Sequence, residues 1–202
     1  MKLIGSLSDP YTRKARIVLA EKKMESELVL PPEGDEAKAA AIEAGNPLGT
    51  LPVLVLDDGT PLFDSRLIVE YIDSVAPNNK LFPQSTRERA EVKRWEVASD
   101  GVIELGKALA AEKKRPARSR NATRLKHLRE DLDHCLDALN QYLGEKAFCA
   151  GKALTMADFA LGIALAWTNR FVPADPPVSR PNLERLYEKL QTRPSFQETD
   201  FV

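Results

Sequence analysis

The chain has 202 residues, and 43% of them are hydrophobic, which allows one large domain or two small ones with a packed core. The 29 Lys and Arg residues nearly balance the 30 Asp and Glu residues, for a net charge of -1, so a nucleic-acid partner is not expected. No apolar run approaches the roughly 20 residues of a membrane helix, so no membrane partner is expected, and the two cysteines lack Cys-x-x-Cys spacing and predict a reducing compartment, the cytoplasm.

The N-terminal part of the chain alternates short strands with helices. Residues 2–6 are a strand candidate, and Asp9 followed by Pro10 supplies an N-cap and a first-turn proline to a helix near 11–23. Residues 27–30 predict a second strand. The Ala-rich segment 35–44 is helical by propensity.

The stretch from residue 46 to residue 75 is the most informative part of the sequence. Pro52 stands directly before an apolar run, where a proline fits a strand start, and Asp58-Gly59 predicts a hairpin to a second strand at 61–63. Asp64-Ser65 then opens a helix over 65–75. The element order predicts a small sheet with helices on both faces, a thioredoxin-like α/β module. Backbone beside a helix N-terminus suits an extended, anionic, peptide-like ligand.

From residue 87 onward the periodicity is helical, and no convincing strand appears. Val97 is expected to be buried, and Gly101 is expected to allow a close helix contact. The predicted domains are 1–77 for the α/β module, 78–86 for a linker and 87–202 for an all-α bundle. The predicted helices of this half cover 88–111, 122–143, 155–171 and 181–191, with a short helical tail from Pro194.

Several of these segments together resemble the glutathione S-transferase superfamily. Leu51-Pro52-Val53 followed by Phe63-Asp64-Ser65-Arg66-Leu67-Ile68 resembles its glutathione-binding core. Thr155-Met-Ala-Asp158-Phe-Ala-Leu resembles the N-capping box of its central helix, and Arg180-Pro-Asn-Leu-Glu with Arg193-Pro-Ser-Phe resembles its closing helices. The resemblance covers essentially the whole chain. It implies the two-domain architecture of that family and a homodimer.

The resemblance also implies a binding mode for glutathione as co-substrate. Pro52 would follow a cis peptide bond, and Leu51, Pro52 and Val53 would lie beside the cysteinyl part of glutathione. Asp64 and Ser65 would hold the γ-glutamyl end. Lys38 would meet the glycine carboxylate, although a solvated helix lysine is the alternative. The thiolate would attack a small, electrophilic, apolar second substrate held against the helical half.

One position departs from the family pattern. The Ser or Cys that related bacterial proteins place next to the thiol aligns with Asp9, and an ionised carboxylate cannot donate a hydrogen bond to a thiolate and would repel it. Asp9 is therefore expected beside the glutathione as an N-cap. Ser8, the nearest hydroxyl, is the candidate catalytic residue, with a loop serine bonded to backbone as the alternative.

The same departure leaves a second function open. A non-catalytic binding or regulatory protein on the same scaffold, comparable to the stringent-starvation and chaperone-like members of the family, also fits Asp9, because a fold does not determine a function.

Neither the histidines nor the basic residues of the helical half predict a further site. His127 and His134 lie seven residues apart without companion ligands, so no metal site is expected. The basic stretch 113–129 contains no aromatic residue to stack on a base, which favours a solvated face. A positive rim that attracts anionic glutathione is the functional alternative.

Overall fold

The computed structural model describes residues 1–174 and 176–201, so Asp175 and Val202, which fall in the predicted domain 87–202, lie outside the described residues. The chain separates into two compact units. One comprises Met1–Phe82 together with the chain from Thr192 onward, and the other comprises Pro83–Gln191. The first unit holds the sheet, and helices dominate the second, so the predicted fold class is confirmed.

Among the described residues, the first unit contains one four-stranded sheet in the order β2-β1-β3-β4. Strand β1 runs parallel to β2 and antiparallel to β3, and β3 runs antiparallel to β4. Proline has no N–H to donate to a ladder, and Pro52 stands one residue before β3, so the pairing is not interrupted. The strands are β1 (Lys2–Ile4), β2 (Glu27–Val29), β3 (Val53–Val55) and β4 (Pro61–Phe63).

Three helices cover this sheet: α1 (Pro10–Lys22), α2 (Asp35–Glu43) and α3 (Ser65–Val75). Ala41 of α2 packs in a cluster with Ile4 and Val53. Successive strand residues point to opposite faces. Leu3 and Leu54 therefore point away from α2, and they are also buried, so both faces of the sheet are covered as predicted.

The second unit is built around one almost fully buried helix. This helix, α6, is apolar on nearly every side, and its residues from Met156 to Thr168 are buried. The Asp158 carboxylate accepts hydrogen bonds from the backbone N–H groups of Thr155, at 2.8 Å, and Cys149, at 2.7 Å, which completes a capping box. None of the described helices has the length and apolar character needed to cross a membrane. The main helices of the unit are α4 (Thr86–Lys114), α5 (Ala122–Leu143), α6 (Met156–Phe171) and α7 (Pro181–Gln191).

Two expectations for α4 are wrong. Val97 is 56% exposed, because it lies two residues after the buried Trp95 and therefore off the stripe that faces the core. Nothing lies within 4 Å of a Cβ placed on Gly101. The close contact is made instead by Gly106, where an added Cβ would come within 2.8 Å of the Trp167 ring.

The end of the chain packs on α1. The Arg193 guanidinium donates to both carboxylate oxygens of Glu21, at 2.9 and 2.6 Å, and the Ser195 hydroxyl also donates to Glu21. Burial acts to raise the pKa of Glu21, but these hydrogen bonds outweigh it and hold the pKa below its ordinary value. The short helix α8 (Pro194–Gln197) follows, and the Arg13 guanidinium stacks over the Phe196 ring at 5.2 Å. The tail therefore fixes the helix whose N-terminus lies at the candidate site.

A buried ion pair joins the C-terminal ends of α1 and α3. Lys22 Nζ lies 2.6 Å from Asp73 Oδ1, and both side chains are at most 5% exposed. The same carboxylate accepts hydrogen bonds from the backbone N–H groups of Leu81, at 2.7 Å, and Phe82, at 3.2 Å. This aspartate thus ties α1 and α3 to residues 81–82.

Candidate functional site

The site lies at one end of the sheet, where three chain segments meet. Ile4, the last residue of β1, pairs with Val53, the first residue of β3, and Val53 pairs in turn with Phe63, the last residue of β4. Neighbouring strands are about 4.8 Å apart. Because the three residues are side by side, the β1–α1 connection, Pro52 and Asp64 all adjoin the same edge.

The β1–α1 connection is held tightly against the first turn of α1. A Cβ on Gly5 would collide with the Thr12 side chain, so only glycine allows this approach. The Ser6 backbone N–H donates to Thr12 Oγ1 at 3.2 Å. The loop between β1 and α1 is therefore positioned by the helix that follows it.

Asp9 is the N-cap of α1. Its Oδ2 atom accepts hydrogen bonds from the Thr12 backbone N–H at 2.7 Å and from Thr12 Oγ1 at 2.9 Å. The N-cap expected from the sequence is thus present. Its carboxylate accepts the hydrogen bond of an N–H group that would otherwise be available to an anionic ligand at the helix N-terminus.

The Ser8 hydroxyl is hydrogen-bonded to side chains, whereas the alternative interpretation of Ser8 expected hydrogen bonds to the backbone. Its hydroxyl donates to Glu33 Oε1 at 3.0 Å, and its Oγ lies 3.0 Å from Ser6 Oγ. Glu33 follows β2 and lies 25 residues after Ser8 in the sequence. No spacing or motif in the sequence connects it with Ser8, so sequence reasoning missed it.

The segment before β3 is a turn organised by Asn46. This side chain is fully buried, donates from Nδ2 to the Thr50 carbonyl at 2.7 Å and accepts the Leu48 N–H at 3.0 Å. The Leu51–Pro52 peptide bond that follows is cis, as the resemblance implies. Sequence reasoning missed this structural role of Asn46.

Lys38 of α2 is exposed and lies against this turn. Gly49 has a φ of +65°, and a Cβ there would come within 2.7 Å of Lys38 Cγ. The aliphatic part of the lysine therefore packs across the glycine backbone. This contact brings the ammonium-bearing side chain next to the segment that leads to Pro52.

Asp64 and Ser65 begin α3. Asp64 is the N-cap with a φ of +66°, and its Oδ1 accepts the Arg66 backbone N–H at 2.9 Å. Ser65, the first helical residue, is buried. The Arg66 guanidinium also donates to Oδ1, at 3.1 Å, and to Oδ2, at 2.8 Å, which gives a two-point pair within the site.

The electrostatics of the site favour an ionised Asp64. Its hydrogen bonds with the Arg66 side chain lower the pKa of Asp64 below its ordinary value, against the opposing effect of partial burial. The positive charge of Lys14, a fully buried lysine on α1, lowers the pKa further. Sequence reasoning missed Lys14, because a lysine in a helix is usually solvated.

All the residues expected at the site lie in the first unit. They occupy the β1–α1 connection, the turn before β3 and its neighbour on α2, and the start of α3. In the part of the chain that the structure describes, no three His, Cys, Asp or Glu side chains are grouped so as to hold a metal ion. The residues concerned are Ser8, Asp9, Lys38, Leu51, Pro52, Val53, Asp64 and Ser65.

Comparison with known families gives two matches that cover most of the chain. Residues 10–75 match the glutathione S-transferase N-terminal domain, and residues 103–194 match the glutathione S-transferase C-terminal domain. An uncharacterised GST-like protein, YibF of Escherichia coli K12, is 34% identical over 203 residues, which cover 99% of this chain and 98% of the relative.

Two solved structures with the same fold contain glutathione or a derivative of it. A glutathione S-transferase from Methylobacillus flagellatus KT with glutathione bound superposes with a TM-score of 0.91 at 34% identity, over 100% of this chain and 99% of that one. A glutathione S-transferase from Methylobacterium radiotolerans JCM 2831, in complex with glutathione sulfonate, has a TM-score of 0.86 at 30% identity, over 100% and 95% of the two chains.

Proposed function

The chain belongs to the glutathione S-transferase family, and from this membership we propose that it binds glutathione and transfers its thiolate to an electrophilic, apolar co-substrate. The observation that carries the proposal is the register that aligns Ile4, Val53 and Phe63. It brings a helix N-terminus, an extended backbone segment and a carboxylate to one edge of the sheet. A tripeptide with two carboxylates, one ammonium and a thiol matches that set of groups.

Each part of glutathione has a partner of suitable chemistry in this proposal. The cysteinyl backbone lies along Leu51, Pro52 and Val53. The γ-glutamyl ammonium faces the Asp64 carboxylate, and the γ-glutamyl carboxylate faces Ser65 and the N-terminus of α3, where free N–H groups favour an anion. The glycine carboxylate reaches Lys38, whose side chain crosses the turn at Gly49.

The chemistry of the first step is ionisation of the glutathione thiol. The S–H bond breaks, the proton leaves to water, and the sulfur keeps the electron pair with which it attacks the electrophile. The partial positive charge at the N-terminus of α1 stabilises the thiolate, and the Ser8 hydroxyl donates a hydrogen bond to it when it turns away from the Glu33 carboxylate. Asp9 acts in the opposite direction, because its carboxylate repels the thiolate from the same helix end.

The assembly and location of the protein are also proposals. Its family membership supports a homodimer. The sequence has no Cys-x-x-Cys motif, and burial raises the pKa of the Cys149 thiol. Both observations support cysteines without a redox role. Such cysteines support in turn a cytoplasmic location.

A second function is favoured by the geometry at Asp9. Its carboxylate already accepts a hydrogen bond from the Thr12 backbone N–H at 2.7 Å, and the Ser8 hydroxyl donates a hydrogen bond to Glu33. A site in which both groups keep these partners would bind glutathione without activating it. The alternative is therefore a non-catalytic ligand-binding or regulatory protein of the same family.

Calorimetric titration with glutathione followed by a conjugation assay with an aromatic electrophile separates the two functions. We expect binding with turnover. Binding without turnover would support the ligand carrier, and absence of binding at millimolar glutathione would overturn the proposed function and support an interaction module.

We predict that Lys38→Ala weakens glutathione binding about two- to fivefold, because an exposed ion pair is worth about 1 kcal/mol or less. The dipeptide γ-glutamylcysteine, which lacks the glycine carboxylate, should bind the variant and the unmodified chain equally well. Calorimetry with both ligands makes this comparison. Equal weakening for the two ligands would contradict the assignment of Lys38 to the glycine end.

We predict that Ser8→Ala lowers the rate of thiol transfer about tenfold or more, through loss of one hydrogen bond to the thiolate, with little change in glutathione affinity. Asp9→Ser should raise the rate, because serine keeps an N-cap and removes the negative charge. Steady-state kinetics at saturating glutathione measure both effects. An unchanged rate in Ser8→Ala would remove Ser8 from the mechanism.

A further inference from the structure

We propose that Glu33 raises the pKa of the glutathione thiol at this site by competing with the sulfur for the proton of the Ser8 hydroxyl. The inference rests on the proposed function, in which Ser8 adjoins the thiol. It adds a residue that the family comparison does not assign and that no sequence pattern indicates. Glu33 acts through Ser8 and is therefore a positioning residue.

The hydrogen bonds fix the direction in which the Ser8 proton points. The Ser8 hydroxyl donates to Glu33 Oε1 at 3.0 Å, and an ionised carboxylate only accepts. A hydroxyl has a single proton. The Glu33 carboxylate and a thiolate therefore compete for this one proton, and donation to the thiolate requires the hydrogen bond to Glu33 to break.

The neighbouring serine continues the same arrangement. Ser6 Oγ lies 3.0 Å from Ser8 Oγ and also accepts the Ser8 backbone N–H at 3.4 Å. Because the Ser8 proton is already used on Glu33, Ser6 is the donor of the bond between the two hydroxyls. Both hydroxyl protons therefore point along one chain, from Ser6 to Ser8 to Glu33.

The charge of Glu33 acts in the same direction as the hydrogen bond. A carboxylate near a thiol disfavours the negatively charged thiolate and so raises the thiol pKa. Asp9 supplies a second carboxylate next to Ser8 in the sequence. Loss of Glu33 should therefore release the Ser8 proton and remove one repulsive charge.

Release of Ser8 changes the ionisation of bound glutathione in a defined way. The thiol S–H bond breaks, the proton goes to water, and the electron pair remains on sulfur. The Ser8 hydroxyl then donates to the thiolate in place of the Glu33 carboxylate. Because a hydrogen bond to the thiolate favours the charged form, the thiol pKa should fall by about one unit.

The test is the pKa of the bound glutathione thiol, measured from the ultraviolet absorbance of the thiolate as a function of pH, with S-methylglutathione as the blank. We expect Glu33→Ala to lower this pKa by about one unit, equivalent to about tenfold more thiolate below the pKa. Glu36→Ala is the matched control, because Glu36 is also exposed and lies only three positions further along the chain. It should leave the thiol pKa unchanged.

A second pair of variants isolates the contribution of the hydroxyl. In a Ser8→Ala background, Glu33→Ala should lower the thiol pKa by less than half as much, because only the charge effect remains. An unchanged or raised thiol pKa in Glu33→Ala, or an equal shift with and without Ser8, would overturn the inference. If calorimetry detects no glutathione binding, the proposed function fails and this inference fails with it. Binding with an unshifted thiol pKa refutes only the role of Glu33.

Discussion

Asp64→Asn is expected to weaken glutathione binding roughly 30- to 100-fold, the largest effect of any single change at the site. The variant removes a charge-assisted hydrogen bond to the γ-glutamyl ammonium, which is worth about 2–3 kcal/mol. Asparagine keeps the N-cap and tolerates the φ of +66°, so α3 should still form. Calorimetric titration with glutathione measures the loss.

The hairpin between β3 and β4 provides a matched control for this variant. Asp58 is exposed and accepts the backbone N–H two residues ahead, from Thr60, at 2.9 Å, just as Asp64 accepts the N–H of Arg66. Asp58→Asn should leave the affinity unchanged. Equal affinity in Asp64→Asn, or an equal loss in Asp58→Asn, would contradict the assignment of the γ-glutamyl end.

The pKa of Asp64 determines the pH range over which its carboxylate contributes to glutathione binding. The Arg66 side chain and Lys14 hold the pKa of Asp64 below its ordinary value, so its carboxylate takes up a proton at a lower pH than an unperturbed aspartate does. A group with a lowered pKa in the folded chain keeps its contribution above its ordinary pKa and loses it only as the pH falls through the lowered value. We therefore expect no loss of the Asp64 contribution between about pH 7 and pH 5.

Asp73→Ala is expected to lower the free energy of unfolding by about 4 kcal/mol. The change leaves the Lys22 ammonium buried without its carboxylate, and breaking a buried pair in this way typically costs 3–5 kcal/mol. It also removes the acceptor of the Leu81 and Phe82 N–H groups. Urea unfolding followed by circular dichroism measures the difference.

Two further variants accompany this stability prediction: a milder change at Asp73 that should still fold, and a control at an exposed ion pair. Asp73→Asn retains the shape and an acceptor oxygen, so it should be destabilised by less than Asp73→Ala and still fold. Asp57→Ala removes an exposed carboxylate that pairs with the N-terminal ammonium, and it should change the free energy of unfolding by less than 1 kcal/mol. Similar values for Asp73→Ala and Asp57→Ala would show that the buried pair contributes little.

Local signals in the sequence predicted most of the elements and their ends. The helices α3 and α5 have the predicted bounds, because Asp64 and Asn121 cap them at one end and a loss of periodicity marks the other. The hairpin at Asp58-Gly59 lies between β3 and β4 as expected. These features depend on neighbours within a few residues.

The features that the sequence could not indicate depend on distant partners. Arg193 and Ser195 bond Glu21 across more than 170 positions, so periodicity predicted a C-terminal helix but not the unit on which it packs. At the site, the hydrogen bond between Ser8 and Glu33 joins two residues that α1 and β2 separate in the sequence. The family resemblance identified Ser8 as a candidate, because it is the hydroxyl nearest to Asp9, without revealing where its proton points.

The most direct test of the account is a crystal structure of the chain grown with millimolar glutathione. The account predicts the cysteinyl backbone beside Val53, the γ-glutamyl ammonium at the Asp64 carboxylate and the sulfur near Ser8. A tripeptide bound elsewhere on the chain, or a groove that stays empty at that concentration, would contradict it.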